Sequence, residues 1–151
     1  MKLAEALAKR ADLATRMSQI SSRIEQNVLV QEGEKPAEDP LALLAEHDRL
    51  AAELQELIVR INATNLSVTV PGHESMTAAL ARRDVLRQQV RLRQTVATRA
   101  SARFDRSTRS ELRYVSIVDV PVIRSEADAL AAKLRELDTR IQEANWINEL
   151  S

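Results

Sequence analysis

IRSEADALAAKLRELDTRIQEA, residues 123–144, places Ile123, Ala127, Leu130, Leu134, Leu137, Ile141 and Ala144 at alternating steps of about four and three. Those steps average roughly 3.5 residues, so a helix built on them turns one seam toward a partner along its whole length. Asp119 and Pro121 stand just upstream, a start signal for a helix that runs to about Asn145.

Working outward, three more stretches carry the same spacing. Leu3, Ala6, Leu13, Met17, Ile20 and Ile24 predict a first helix over residues 2–26, with Arg10 the one misfit on the seam. Asp39-Pro40 opens a second helix, Asp as cap and Pro in the first turn. Its seam reads Leu44, His47, Ala51, Leu54, Ile58 and Ile61, flanked by Leu43, Leu50 and Leu57. Two adjacent apolar rows predict a helix that buries more than one side and sits between two neighbours. Thr77 is the expected cap of a third helix, which runs to about Arg103 on Met76, Ala79, Leu86, Val90, Ala97 and Ala100.

Leu66, Val68 and Val70 alternate with polar residues, which predicts a short strand. Pro71-Gly72 makes a turn and Glu74–Met76 returns as a second strand, while Tyr114–Val118 has strand propensity of its own. The fold expected is all-α: an antiparallel four-helix bundle of long helices with a small β-hairpin element, as one helical-bundle domain over residues 1–151.

Composition agrees. Hydrophobic residues make up 44% but aromatics only 2%, so Leu, Ile, Val and Ala fill the core, and two glycines are too few for phosphate loops. The absence of cysteine excludes disulfides and thiolate chemistry. The opening MKLAEALAKRADLATR has no apolar signal-peptide core, and no stretch reaches the roughly 20 apolar residues of a bilayer span. A cytoplasmic protein with no membrane partner is expected.

Six segments carry a resemblance: LAEALAKRADL (3–13), VQEGEKPAEDP (30–40), LIVRINATN (57–65), ALARRDVLR (79–87), YVSIVDV (114–120) and ELDTRIQEANW (136–146). In this order they resemble the septicolysin-like family of bacterial proteins, a domain of unknown function. The resemblance implies a helical fold and self-assembly, and brings no established reaction. A pore former needs an apolar hairpin or an aromatic membrane anchor, and one Trp, one Tyr and one Phe do not supply it.

Chemistry-bearing residues gather in two places. Glu32, Glu34, Glu38, Asp39 and His47 are the metal-ligand candidates of an acidic loop and the helix after it, with Glu46 and Asp48 beside them. Carboxylates would suit a hard divalent cation, and histidine Mn²⁺, Fe²⁺ or Zn²⁺. The structural reading of the same residues is a turn, a cap and a hydrogen-bonded histidine. Neither the paired Glu-x-x-His of di-iron bundles nor His-Glu-x-x-His is present.

From Arg82 to Arg113 the chain carries a net charge of +7 in an overall neutral protein. Arg82, Arg83, Arg87, Arg91, Arg109 and Arg113 are candidates for anion binding or for pairing with carboxylates elsewhere in the chain. They form no single stripe and have no aromatic platform, so charge pairing is favoured and nucleic acid is not expected. Asn62, Thr64 and Asn65 read as caps at the end of the second helix, in preference to a polar pocket. His73, beside the Pro-Gly turn, is expected to be exposed.

No catalytic residue is assigned. The function expected is that of a non-enzymatic, self-assembling structural or interaction protein, a homo-oligomer built as a dimer or a multiple of it, without a cofactor. The alternative is a metal- or anion-binding protein using loop 31–48, in which a divalent metal would be the cofactor and enzymatic activity stays open.

Overall fold

A computed structural model describes residues 1–101 and 114–151, and these are all-helical. The order is α1 (Leu3–Asn27), α2 (Pro40–Ser67), α3 (Met76–Ser101) and α4 (Val120–Ile147). The described residues divide into two compact units, Met1–Val68 with Glu143–Ser151, and those within Thr69–Gln142.

In the first unit α1 packs against α2. Ion pairs tie the two at separated points, Lys9 to Glu53 at 2.7 Å and Arg23 to Glu38, and their order along the chain makes the helices antiparallel. The core is aliphatic: Leu3, Ala6, Leu13 and Ile20 from α1, Leu43, Leu50, Leu57 and Ile61 from α2. Met17 and Ile24 are half-buried, and Arg10 is exposed to solvent. On α2 the buried row therefore passes through Leu43, Leu50 and Leu57, read as flanks, and through Ile61 of the expected seam, whose His47, Ala51 and Leu54 are half-buried. Leu44 (45%) and Ile58 (38%) keep substantial exposure within the chain.

The second unit pairs α3 with the main part of α4, also antiparallel: Arg93 meets Glu126 at 2.9 Å, and Arg87 meets Asp138 at 3.6 Å. Ala127 and Leu137 are buried, Ile123, Leu130 and Leu134 half-buried, so the seam of residues 123–144 is the packed one. Ile141 and Ala144, at its C-terminal end, are buried too.

Helix starts follow the cap chemistry in part. Asp39 accepts from the Leu41 amide at 2.9 Å with Pro40 in the first turn, and Asp119 accepts from the Val122 amide at 3.2 Å. The third helix is capped by Ser75 rather than Thr77: Ser75 Oγ, two residues earlier, accepts from the Ala78 amide at 3.1 Å.

The expected β-hairpin is absent, and no strand occurs among the described residues. A strand would put Leu66, Val68 and Val70 on one face, yet Leu66 is 68% exposed while Val68 and Val70 are buried. Helix α2 continues to Ser67, which places Thr64 and Val68 one turn apart on its inner side. Pro71-Gly72 does turn the chain: the His73 amide donates to the Val70 carbonyl at 2.8 Å and Gly72 takes φ +84°. His73, whose amide closes that turn, is half-buried rather than exposed. Met76 is already helical. Tyr114–Val118 forms no strand either, since the Ser116 hydroxyl bonds both the carbonyl (2.9 Å) and the amide (3.3 Å) of Val118 and bends the segment.

Candidate functional site

The acidic loop begins where α1 ends. Asn27 donates to the Arg23 carbonyl at 2.9 Å and its Oδ1 accepts from the Glu38 amide at 3.0 Å, so it clamps helix end to loop end. Arg23 forks onto the Glu38 carboxylate through Nε and a second nitrogen. Hydrogen bonding to Arg23 holds the Glu38 carboxyl below its usual range, and the same bond raises the Arg23 guanidinium. Between them Gly33 takes φ +90° in a turn closed by the Glu34 amide on the Gln31 carbonyl at 2.9 Å.

Each metal-ligand candidate thus has a definite place. Glu38 pairs with Arg23, Asp39 caps α2, and Glu32 and Glu34 are exposed. His47 is half-buried on α2 with Nδ1 3.8 Å from Asp48. Among the described residues no three His, Asp or Glu side chains converge as a metal would require.

The arginines divide in the same manner. Arg83 and Arg87 reach Asp84 and Asp138 at 3.4–4.0 Å, and Arg93 bonds Glu126. Arg82 and Arg91 are exposed. Arg109 and Arg113 lie outside the described residues. Intrahelical and α3–α4 pairing therefore accounts for Arg83 and Arg87, and such pairs, open to solvent on at least one side, each contribute little. In the same unit an open groove of about 340 Å³ runs past Val96, Arg99, Val115 and Ile117, and among the described residues its lining holds no acid or base other than Arg99.

A clasp that local patterns do not reveal joins the two chain ends within the first unit. The Leu3 amide donates to the Asn148 carbonyl at 2.9 Å and the Leu150 amide to the Met1 carbonyl at 2.8 Å. Glu149 accepts from the Met1 amino group at 2.8 Å and pairs with Lys2 at 2.9 Å, and those two donors hold its carboxyl at about 2. Thr64, 1% exposed, accepts from the Ser151 amide at 3.0 Å and donates to the Arg60 carbonyl at 2.9 Å. Its side chain therefore anchors the C-terminal residue instead of capping α2. Asn62 is exposed on a helix that runs on past it, and Asn65 is half-buried there.

What remains is apolar surface. Along α2, Leu41, Leu44, Ile58, Val59 and Leu66 are each exposed by 38–74%, with Leu44 and Ile58 beside the row packed on α1 and the others farther round the helix. A helix face of this kind has affinity for another apolar face and no intrinsic chemistry.

The comparisons with known proteins agree with the helical description. A family model described as "Family of unknown function (DUF6847)" matches residues 10–150. The chain is similar to a solved structure titled "Crystal structure of a functionally unknown conserved protein from Corynebacterium diphtheriae". The two are 40% identical with a TM-score of 0.91, over 100% of this chain and 99% of that one. Neither description carries the septicolysin-like label. No match was found among curated proteins.

Proposed function

We propose that this chain, which belongs to the DUF6847 family of unknown function, is a non-enzymatic, self-assembling structural or interaction protein. The observation that carries the reading is the second apolar row of α2. Leu44, Ala51 and Ile58 repeat every heptad, and Leu44 and Ile58 are exposed. A charged face would keep a single long helix soluble on its outer side. This one instead presents aliphatic side chains of the kind that bury against a second helix. Homo-oligomerisation, as a dimer or a multiple of it, covers them. The cytoplasm is the compartment proposed for this role.

Native mass spectrometry on protein purified without chelators tests this. The expected result is a defined oligomer at a whole multiple of the 16.9 kDa chain mass. A monomer at micromolar concentration overturns the reading. Added mass from a metal ion, lost on changing Glu32, Glu34 or His47 to Ala, transfers the case to the metal-binding alternative.

A further inference from the structure

We infer that two copies of the chain pack through their α2 helices, antiparallel, about a twofold axis at Gln55. The inference rests on the self-assembly reading and gives it an interface and a register. At 100° per residue the outer face of α2 resolves into three heptad columns. Leu44, Ala51 and Ile58 form one, and Ala45, Ala52, Val59 and Leu66 another. Asp48, Gln55 and Asn62 run between them. Ala51 is half-buried and the others are exposed.

Asp48 is the one charged residue in these three columns, whereas Glu46, Arg49, Glu53, Glu56 and Arg60 lie outside them. Several of those outer charges are engaged within the chain: Glu53 with Lys9, Arg49 with Glu53, Arg60 with the Ser151 carbonyl. Depletion of charge from the centre of a face is the compositional mark of an interface core.

The occupant follows from the face being complementary to itself. With the axis at Gln55, Leu44 of one copy meets Leu66 of the other, Ala51 meets Val59, and Ala52 meets Ile58. Large side chains near the axis oppose small ones, which allows close approach without overpacking. The middle column pairs as well: the Asn62 amide can donate to the Asp48 carboxylate twice per dimer, and Gln55 meets its own copy on the axis. Polar pairs at such positions fix register because any slip leaves them unsatisfied. Sliding by one heptad puts the axis between Ala51 and Ala52 and leaves Leu66 uncovered. The paired stretch from Leu44 to Leu66 is about 33 Å long.

A chain without cysteine makes the register directly readable. Helix axes about 8–10 Å apart, each with Cα atoms about 2.3 Å from its axis, bring on-axis Cα atoms to roughly 3.5–5.5 Å, overlapping the range a disulfide bridges. Gln55→Cys and Ala52→Cys are exposed substitutions made separately, oxidised with diamide, and run on non-reducing gels beside native mass spectra of the reduced proteins. The expected result is a covalent dimer for most of Gln55→Cys and almost none for Ala52→Cys, whose two copies lie about 9 Å apart along the axis. The reverse pattern overturns this register in favour of the one-heptad slip. Neither variant linking, with a native oligomer present, overturns the α2 interface and leaves self-assembly standing. Neither linking in a monomeric protein overturns both.

Discussion

Leu50 and Leu44 are six residues apart on one helix, and truncating each to Ala separates the two faces of α2. Leu50 is 0% exposed, so Leu50→Ala removes buried methyl groups and leaves a cavity. Such changes cost about 3–4 kcal/mol, which for a chain of this size lowers the urea midpoint by about 1.5–2 M. Leu44 is 45% exposed, so about half of its burial is at stake and no closed cavity forms. Below the association concentration Leu44→Ala should cost less than about 1 kcal/mol. Above it the cost should grow with protein concentration, because the side chain then lies in the interface and association stabilises the folded state by mass action. Far-UV circular dichroism of urea unfolding at two concentrations reads both. The reasoning is refuted if Leu50→Ala costs under about 1 kcal/mol, or if both variants lose the same stability at every concentration.

Further outcomes follow from the clasp, the core and the loop. Glu149 has a folded pKa of about 2 against an ordinary 4.5, so its contribution is complete above 4.5 and is lost as pH falls from there toward 2; Glu149→Gln should flatten that part of an acid unfolding curve. Thr64→Val keeps the shape but removes the partner of the Ser151 amide, costing about 1–2 kcal/mol and speeding hydrogen exchange at residues 148–151. Gln89 Oε1 is buried with no hydrogen-bond partner among the described residues, so Gln89→Met should raise stability by up to about 1 kcal/mol in thermal melts. Gly33→Ala meets open space but must hold φ +90°, and the expected cost is about 1 kcal/mol from backbone strain alone, seen as a lower melting temperature.

The four helices were legible in the sequence because apolar spacing is a local signal, and the caps at Asp39 and Asp119 lie within three residues of the amides they bond. Local alternation misled at Leu66–Val70, where packing of Thr64 and Val68 extended α2 and no second strand was there to pair. The candidate ligands were visible as residue types. Which of them pair, Glu38 with Arg23 and Asp138 with Arg83 and Arg87, depended on where helices cross. So did the clasp, whose partners Thr64 and Ser151 are 87 residues apart. Both rows of α2 are written in its sequence, since heptad periodicity is a property of one helix. Which row is buried was decided only in three dimensions, where α1 covers Leu50 and Leu57 and leaves Leu44 and Ile58 to solvent, because burial is a relation between helices that periodicity alone does not specify.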